Sequence, residues 1–291
     1  MTGLAWSRAE ALVTTRRVAV TGTHVTEPGR RVAAGEVVTV TPDAPRITRG
    51  MLEPERVVYV DPDVIVVDKP AGVMTVPFEH ERDTLLDRAR VWVKRHGGPG
   101  SDELGIVHRL DKDTSGLVVF ARGLAAKKAL ARQFEAHTIE RRYEAIVHGR
   151  AATRTWDTWL VKNRGDGIRG SWRPLRPDSQ PPRDAQRAVT HVEAIEVMAL
   201  ATLVGCRLET GRTHQIRIHL AEAGTPIVGE QVYIRDLRAA RGKEIEAPRQ
   251  MLHARVIAFV HPRDGRTVRL EVQPPEDFTM TLARLRAGQA T

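Results

Sequence analysis

Residues 105–122 read GIVHRLDKDTSGLVVFAR, a polar loop that passes directly into a continuous apolar run. The apolar part, from Leu117 to Ala121, is typical of a strand buried in a core. Polar side chains delivered to the edge of such a strand indicate a functional site. A second interpretation stays open at this point: residues 113–115 can bond to their own backbone in a turn, with Arg109 and Asp111 forming a surface ion pair.

The segments around this loop mix strands and helices. From Val57 the chain reads VVYVDPDVIVVDKPAG, two apolar runs that predict two strands separated by a turn. Residues 124–137 carry apolar side chains at helical spacing, and residues 143–147 alternate as a strand does. The sequence therefore predicts an α+β domain, which we place at residues 55–285.

The first 48 residues form a separate small unit in this interpretation. Ser7-Arg8-Ala9-Glu10 has the form of a capping box, which predicts the start of a short helix. Residues 17–22 and 35–40 alternate as two short strands before prolines interrupt the pattern. The order helix, hairpin, linker predicts a module over residues 1–48.

The charge of the chain favours a polyanionic partner. Lys and Arg number 45 against 36 Asp and Glu, a formal net charge of +9. Nucleic acid fits this charge better than an anionic membrane surface. No stretch approaches about 18 consecutive apolar residues, and the N-terminal segment lacks the pattern of a secretory signal. We therefore expect a cytoplasmic protein with no membrane association and no obligate protein partner.

Cys206, His214 and His219 are residue types that can bind a metal. The single Cys206 excludes an internal disulfide and argues against a structural zinc site, so a small buried apolar role is expected for it. His214 and His219 are five residues apart, which does not match the i, i+4 geometry of a zinc-binding helix. We predict no metal.

The segment from Val161 to Arg187 shows no regular spacing of apolar residues that would predict a helix or a strand. A long loop within a compact domain is either functional or without order, so RNA contact and a solvated loop are both open. Its basic residues are Lys162, Arg164, Arg169, Arg173, Arg176, Arg183 and Arg187, against the acidic Asp166, Asp178 and Asp184.

A short helix is predicted after this region. Thr213 is the expected N-cap of a helix that runs to Gly224, with Ile216 and Leu220 facing the core at i, i+4. His214 and Arg217 share another face of that helix. This second face is either solvated or part of a site.

The segment GIVHRLDKDTSGLVVFAR closely resembles the signature loop of the RluA-type pseudouridine synthases. The resemblance continues in the expected order through RRYEA at 141–145, LETGRTHQIR at 208–217, PIVG at 226–229, LHA at 252–254, and His261-Pro262, Pro275 and Phe278. It implies a catalytic domain with a mixed, mostly antiparallel central sheet. It also implies an enzyme that works without a cofactor.

The same resemblance implies roles for individual residues. Asp111 would be the catalytic aspartate, Tyr143 the tyrosine stacked on the uracil, and Arg217 the basic partner of the aspartate. Arg109 would occupy the space left by the extruded base. The family usually has lysine where this chain has Arg141, so Arg141 is left out of the predicted site.

The chemistry explains why one carboxylate can suffice. Uracil must be cut from the anomeric carbon, turned, and rejoined through its carbon 5, so the leaving group is retained and water is excluded, unlike in a glycosidase. Asp111 could attack the anomeric carbon or remove the ribose 2′ proton, and both routes need it ionised. The positive charge of Arg217 would favour that form. The sequence leaves both routes open.

The N-terminal unit resembles the second half of the S-four-type RNA-binding domain over residues 7–40. The resemblance makes Arg8, Arg16 and Arg17 the expected phosphate contacts, with a solvated basic face as the alternative. The leading helix of that domain is shortened or absent here, and Thr21 stands where asparagine is typical.

The function implied is isomerisation of specific uridines in structured RNA, with ribosomal RNA ahead of transfer RNA. One alternative is a catalytically idle RNA-binding or ribosome-assembly factor of the same fold, and the presence of Asp111, Tyr143 and Arg217 together argues against it. Another is a nucleoside-cleaving hydrolase, which would release free uracil.

Overall fold

The computed structural model describes most of the chain, in these ranges: 5–14, 18–21, 23–25, 27–40, 50–77, 83–100, 102–174, 176, 178–239 and 244–289. Arg16 and Arg17, two of the three expected phosphate contacts, lie outside the described residues. Among the residues described, no helix is long and apolar enough to cross a bilayer.

The N-terminal segment forms a helix and a small sheet. Helix α1 (Trp6–Thr14) precedes strands β1 (Val18–Val20), β2 (Thr23–His24) and β3 (Val38–Val40). The strands pair in the antiparallel order β2-β1-β3. Both predicted strands are present but shorter than expected. This unit has an apolar cluster of its own, made by Leu12, Val18, Val20 and Val25.

The predicted capping box at residues 7–10 is wrong, although the helix itself is confirmed. Helix α1 begins at Trp6, so Ser7 already lies in its first turn. The carbonyl oxygen of Ala5 accepts the N–H groups of Arg8 and Ala9, both at 3.0 Å. Ala5 therefore occupies the position before the helix that the pattern assigned to serine.

The larger part of the chain is built on a sheet of eleven strands, in the order β10-β9-β11-β12-β8-β13-β7-β5-β4, with β14 beside β13 and β6 beside β7. The strands are β4 (Val57–Val60), β5 (Val64–Lys69), β6 (Leu104–Ile106), β7 (Ser115–Arg122), β8 (Glu140–His148), β9 (Arg154–Val161), β10 (Gly170–Ser171), β11 (Gln186–Val197), β12 (Ala201–Leu208), β13 (Leu252–Val260) and β14 (Thr267–Glu271). The helices are α2 (Leu85–His96), α3 (Leu124–Glu135), α4 (Gln215–Glu222), α5 (Arg235–Ala239) and α6 (Glu276–Arg286).

The pairing confirms the predicted fold class. Every pair of neighbouring strands in the described part of this sheet is antiparallel except β7 with β13. Helices lie on both faces. The chain is therefore α+β, with a mixed, mostly antiparallel sheet.

The strands that read as continuous apolar runs are covered on both sides. On β5, Val64 and Val66 pack with α3, whereas Ile65 and Val67 pack with α2 and α6 on the other face. Successive side chains of a strand point to opposite faces, so a strand between two helical layers must be apolar at every position. This burial fixes β5 and β7 as the rigid base for the loop that precedes β7.

The parallel contact between β7 and β13 depends on a glycine. Gly116 pairs with Ala254 and has a φ of 112°, a backbone conformation that side chains disfavour. A Cβ at position 116 would overlap the carbonyl oxygen of Ala254. Only glycine lets the two strands approach this closely.

The variant Gly116→Ala is therefore expected to lower the free energy of unfolding by about 3 kcal/mol or more, since it combines backbone strain with a clash inside the sheet. Gly72→Ala is the matched control. Gly72 also has a positive φ, 78°, but nothing lies within 4 Å of its Cβ position, so only the strain of about 1 to 2 kcal/mol remains. Urea unfolding measures both, and equal losses would contradict the role of the close approach.

Candidate active site

The loop between β6 and β7 is held at its start by a histidine. Nε2 of His108 accepts the backbone N–H of Val119 at 3.0 Å, and the imidazole stacks on Phe134 with ring centres 4.8 Å apart. Burial, with the charge of Arg141 nearby, lowers the pKa of His108 to about 3. The ring is therefore neutral, as an acceptor nitrogen requires.

A buried lysine holds the middle of the loop. Nζ of Lys69 donates to the carbonyl oxygen of Lys112 at 2.7 Å, and to those of Pro70 and Val73 at 2.9 and 2.8 Å. Burial and the charge of Arg249 lower the pKa of Lys69 to about 7. Lys69 is the last residue of β5 and precedes the turn at residues 71–72, so the end of this strand fixes the backbone next to Asp111.

The end of the loop is tied to helix α6. Arg249 donates to the carbonyl oxygen of Asp113 at 3.0 Å and to Oγ of Ser115 at 3.3 Å. Its Nη2 also donates to Asp277 of α6 at 2.9 Å. Because all of these groups except Asp113 are buried, the backbone on both sides of Asp111 has a defined position.

Asp111 faces Arg217 across the site. Nη1 of Arg217 donates to Oδ2 of Asp111 at 3.0 Å. The other edge of the guanidinium donates to Glu230, with Nε to Oε2 and Nη2 to Oε1 both at 2.8 Å. Arg217 is only 8% exposed. The solvated interpretation of the second face of α4 is therefore wrong, and Asp111 pairs with Arg217, 106 positions away.

Glu230 holds the edge of the Arg217 guanidinium that does not face Asp111. It is 2% exposed, and its Oε1 also accepts the backbone N–H of Val232 at 2.8 Å. Burial opposes charge on both partners, but the hydrogen bonds and charge of Arg217 outweigh it and lower the pKa of Glu230. In the same way Glu230 and Asp111 overcome burial and raise the pKa of Arg217. The guanidinium is thus a permanent cation with one edge directed at Asp111.

His214 is the second group near Asp111. It has a left-handed backbone, with φ 58°, and shares a hydrogen bond of 2.8 Å between its Nδ1 and the hydroxyl of Tyr233. Its Nε2 lies 3.8 Å from Oδ1 of Asp111. Burial lowers the pKa of His214, which favours the neutral ring.

The predicted N-cap at Thr213 is wrong. Helix α4 begins at Gln215, and His214 occupies the cap position without a capping side chain. The side chain of Gln215 instead bonds the preceding turn, accepting the N–H of Arg212 at 3.0 Å and donating to the carbonyl of Val189 at 2.9 Å. Ile216 and Leu220 are buried as expected.

The predicted site residues line one cavity, which we call the Asp111 cavity. It measures about 60 Å³, and Arg109, Asp111, Tyr143 and Arg217 all contribute to its wall. Tyr143 is 8% exposed, and burial raises its pKa, so its phenol is neutral. Arg109 is exposed at the rim. The structure thus brings the four residues together.

Other predicted residues lie elsewhere. Arg8 is exposed on α1. The basic segment from Val161 to Arg187 contains strand β10, and two of its arginines carry ion pairs, Arg164 with Asp166 at 2.9 Å and Arg187 with Asp157 at 2.6 Å. These ion pairs neutralise part of the positive charge of this segment.

The candidate metal ligands are engaged in other contacts. Cys206 is buried, which raises its pKa to about 12, and His219 bonds Thr158 and Thr190 at 2.9 and 2.8 Å. One cluster in the described part of the chain has metal-like spacing, with ligand atoms of Asp61, Asp63 and His261 within 4.8 Å of one another. Protein groups already bond these atoms, since Tyr59 donates to Asp61 and Arg263 to Asp63, both at 2.6 Å. We assign no metal there.

Comparison with known proteins identifies the architecture around this cavity. A model of the RNA pseudouridylate synthase family matches residues 63–222, more than half of the chain and including Asp111, Tyr143 and Arg217. The chain belongs to this family. It is therefore an RNA pseudouridine synthase, an isomerase.

Relatives of this pseudouridine synthase match along nearly the whole chain. The uncharacterized RNA pseudouridine synthase YlyB of Bacillus subtilis is 36% identical over 289 residues, which cover 97% of this chain and 90% of the relative. The ribosomal large subunit pseudouridine synthase D of Zymomonas mobilis is 34% identical over 272 residues, which cover 91% of this chain and 84% of the relative.

Solved structures share the fold of this pseudouridine synthase. Human RNA pseudouridylate synthase domain containing 4 superposes with a TM-score of 0.62 at 22% identity, covering 80% of this chain and 93% of that one. The human domain containing 1 gives a TM-score of 0.58 at 24% identity, covering 75% and 82%. At these identities the likeness concerns the fold.

Sequence reasoning missed Glu230 and Tyr233. Both lie in an irregular segment after Gly229, where no periodicity indicates burial. One signal was available: an acidic residue directly follows the PIVG motif at 226–229, and a buried arginine needs a counter-charge.

Proposed function

We propose that this enzyme isomerises specific uridines in the RNA of the large ribosomal subunit, in the cytoplasm. The names of several relatives, such as the synthase D proteins of Zymomonas mobilis and Vibrio cholerae, support this choice of RNA over transfer RNA. The observation that carries the proposal is the carboxylate of Asp111 held by Arg217, which Glu230 holds in turn.

Four of the residues that line the Asp111 cavity have distinct roles in the proposal. Asp111 is the catalytic carboxylate, and Arg217 keeps it ionised and oriented. Tyr143 stacks on the uracil. Arg109 enters the space that the extruded base leaves in the RNA, which offsets the lost stacking. His214 and Tyr233 are positioning residues at the same carboxylate.

The reaction uses this arrangement in three stages. The bond from N1 of uracil to the anomeric carbon breaks while Asp111 either forms a bond to that carbon or accepts the 2′ proton. The uracil then turns within the Asp111 cavity. Its carbon 5 then bonds the anomeric carbon as the bond to Asp111 breaks or as the 2′ proton returns to the ribose, and the base loses its C5 proton and gains one at N1.

Pseudouridine mapping of total RNA, by chemical adduct and primer extension, tests the function in cells with and without the gene. Loss of one or a few sites in large-subunit RNA is expected. Loss of sites only in transfer RNA would refute the ribosomal substrate. An unchanged map, with purified protein bound to ribosomal particles, would support the idle assembly factor, and release of free uracil would support the hydrolase.

We further propose that residues 1–48 form an RNA-binding module in front of a catalytic domain at 55–285, with Arg8, Arg16 and Arg17 as phosphate contacts. Deleting residues 1–48 is expected to weaken RNA binding and to flatten the dependence of the binding constant on salt, since fewer counterions are released. A salt titration of both proteins measures this. An unchanged slope would mean that the module does not contact phosphate.

A further inference from the structure

A second cavity adjoins the Asp111 cavity. It measures about 450 Å³, and both cavities are lined by Arg109, Tyr143, Leu208 and Arg212. Its own wall includes Arg141, and we call it the Arg141 cavity. Anything bound there would lie directly beside a base held at Tyr143.

Arg141 is a buried cation without an acidic partner. It lies on β8 and is 7% exposed, and no carboxylate among the described residues forms an ion pair with it. Its Nη2 donates to the carbonyl oxygen of Glu209 at 2.7 Å, whereas its buried Nε has no hydrogen-bond partner. Buried charges are nearly always paired in folded proteins. The wall of this cavity therefore carries a positive charge that no acidic side chain of the described residues neutralises, and it would attract an anion.

The surroundings are adapted to the guanidinium and are positive. Its Cζ lies 5.6 Å from the centre of the Phe134 ring. A Cβ at Gly211 would overlap Nη1 of Arg141, so glycine at that position makes room for the side chain. Around the cavity stand Arg109 and Arg212, with Glu135 as the carboxylate on its rim. The positive charges outnumber this single negative one.

We propose that the Arg141 cavity binds a phosphodiester group of the RNA next to the extruded uridine. The inference rests on the proposed function. A nucleotide whose base enters the Asp111 cavity carries a phosphate on each side, and the wall shared at Arg109, Tyr143 and Arg212 puts the Arg141 cavity next to that backbone. The guanidinium can donate charge-assisted hydrogen bonds to phosphate oxygens while its Nη2 keeps the bond to Glu209. Arg141 thus anchors the RNA backbone while Tyr143 contacts the base.

The test compares Arg141→Met and Arg141→Gln with the wild type in full-length protein. The probe is an unmodified transcript of large-subunit ribosomal RNA, and binding is measured over a series of KCl concentrations. Each neutral variant is expected to reduce the slope of log K against log salt by about 0.7 to 1, the contribution of one phosphate contact. KM should rise about tenfold with little change in kcat, because the contact already exists in the bound ground state.

Two further variants serve as controls. Arg142→Met removes the neighbouring arginine, which is exposed, points to the opposite face of β8 and pairs with Glu140 at 2.6 Å. It should keep the wild-type slope. Arg141→Lys keeps the charge, so its slope should stay near that of the wild type while its affinity falls.

The outcomes separate this inference from the proposed function. An unchanged slope in the neutral variants, or a loss of folding in both of them by thermal melting, would assign Arg141 a structural role and overturn the proposal. If only the methionine variant unfolds, the glutamine variant decides, because its amide can still donate toward Glu209. Binding needs no turnover, so a reduced slope supports the phosphate site even if the wild type forms no pseudouridine.

Discussion

Replacing Asp111 by asparagine is expected to lower turnover by about a thousandfold or more while leaving RNA affinity within about threefold of the wild type. The amide can neither attack the anomeric carbon nor accept the 2′ proton. It is nearly the same size as the carboxylate, and it can still accept the hydrogen bond that Arg217 donates at 3.0 Å. Single-turnover kinetics on ribosomal RNA transcripts, with a separate binding titration, measures the two effects.

Asp113→Asn is the matched control for this substitution. Asp113 lies two positions further along the same loop, and its exposed side chain is outside the Asp111 cavity. The control should keep wild-type turnover. Substantial residual turnover in Asp111→Asn, or an equal loss in both variants, would show that the carboxylate of Asp111 is not the reacting group.

The second large effect is expected at Arg217. Arg217→Met should lower the free energy of unfolding by about 3 to 5 kcal/mol, because the carboxylate of Glu230 would stay buried without its cation. Turnover should fall by about a hundredfold or more, since Asp111 loses both its counter-charge and its orientation. Arg217→Lys keeps the charge but cannot bond Asp111 and Glu230 at once, so we expect an intermediate loss in both measurements.

A double variant separates stability from catalysis at this pair. Arg217→Met combined with Glu230→Gln removes the stranded charge, so much of the stability should return while turnover stays low. Urea unfolding and turnover on the same preparations give the two readouts. Recovery of turnover in the double variant would contradict the role assigned to Arg217.

The sequence predicts a helix or strand well where its own apolar pattern matches the faces that the element buries. The apolar runs on both sides of Asp61-Pro62-Asp63 became β4 and β5, and helix α3 ends at Glu135, two residues before the predicted end. Strands β7 and β8 were predicted for the same reason. The mixed, mostly antiparallel character of the sheet was predicted from the family resemblance, and the order of its strands was not predicted, because strand neighbours are set by contacts that a local pattern does not contain.

The rest could not be predicted for identifiable reasons. The start of α4 is set by the side chain of Gln215 and by the left-handed backbone of His214, and both depend on tertiary partners. The burial of Glu230 depends on Arg217 from a different segment. Helix α2 was not predicted, although Thr84 and Asp87 form a capping box at its start.

The contacts that hold the loop around Asp111 also determine when the candidate site can form during folding. Asp111 meets Arg217 across 106 positions, Asp113 meets Arg249 across 136, and Ser115 meets His253 across 138. Contacts between such distant positions form slowly. The chain must lose the conformational entropy of a long loop before the contact can stabilise the structure. Helix α3 and the hairpin of β4 and β5 need no such closure. We therefore expect the geometry around Asp111 to appear late in folding, together with the closing of the sheet around β13.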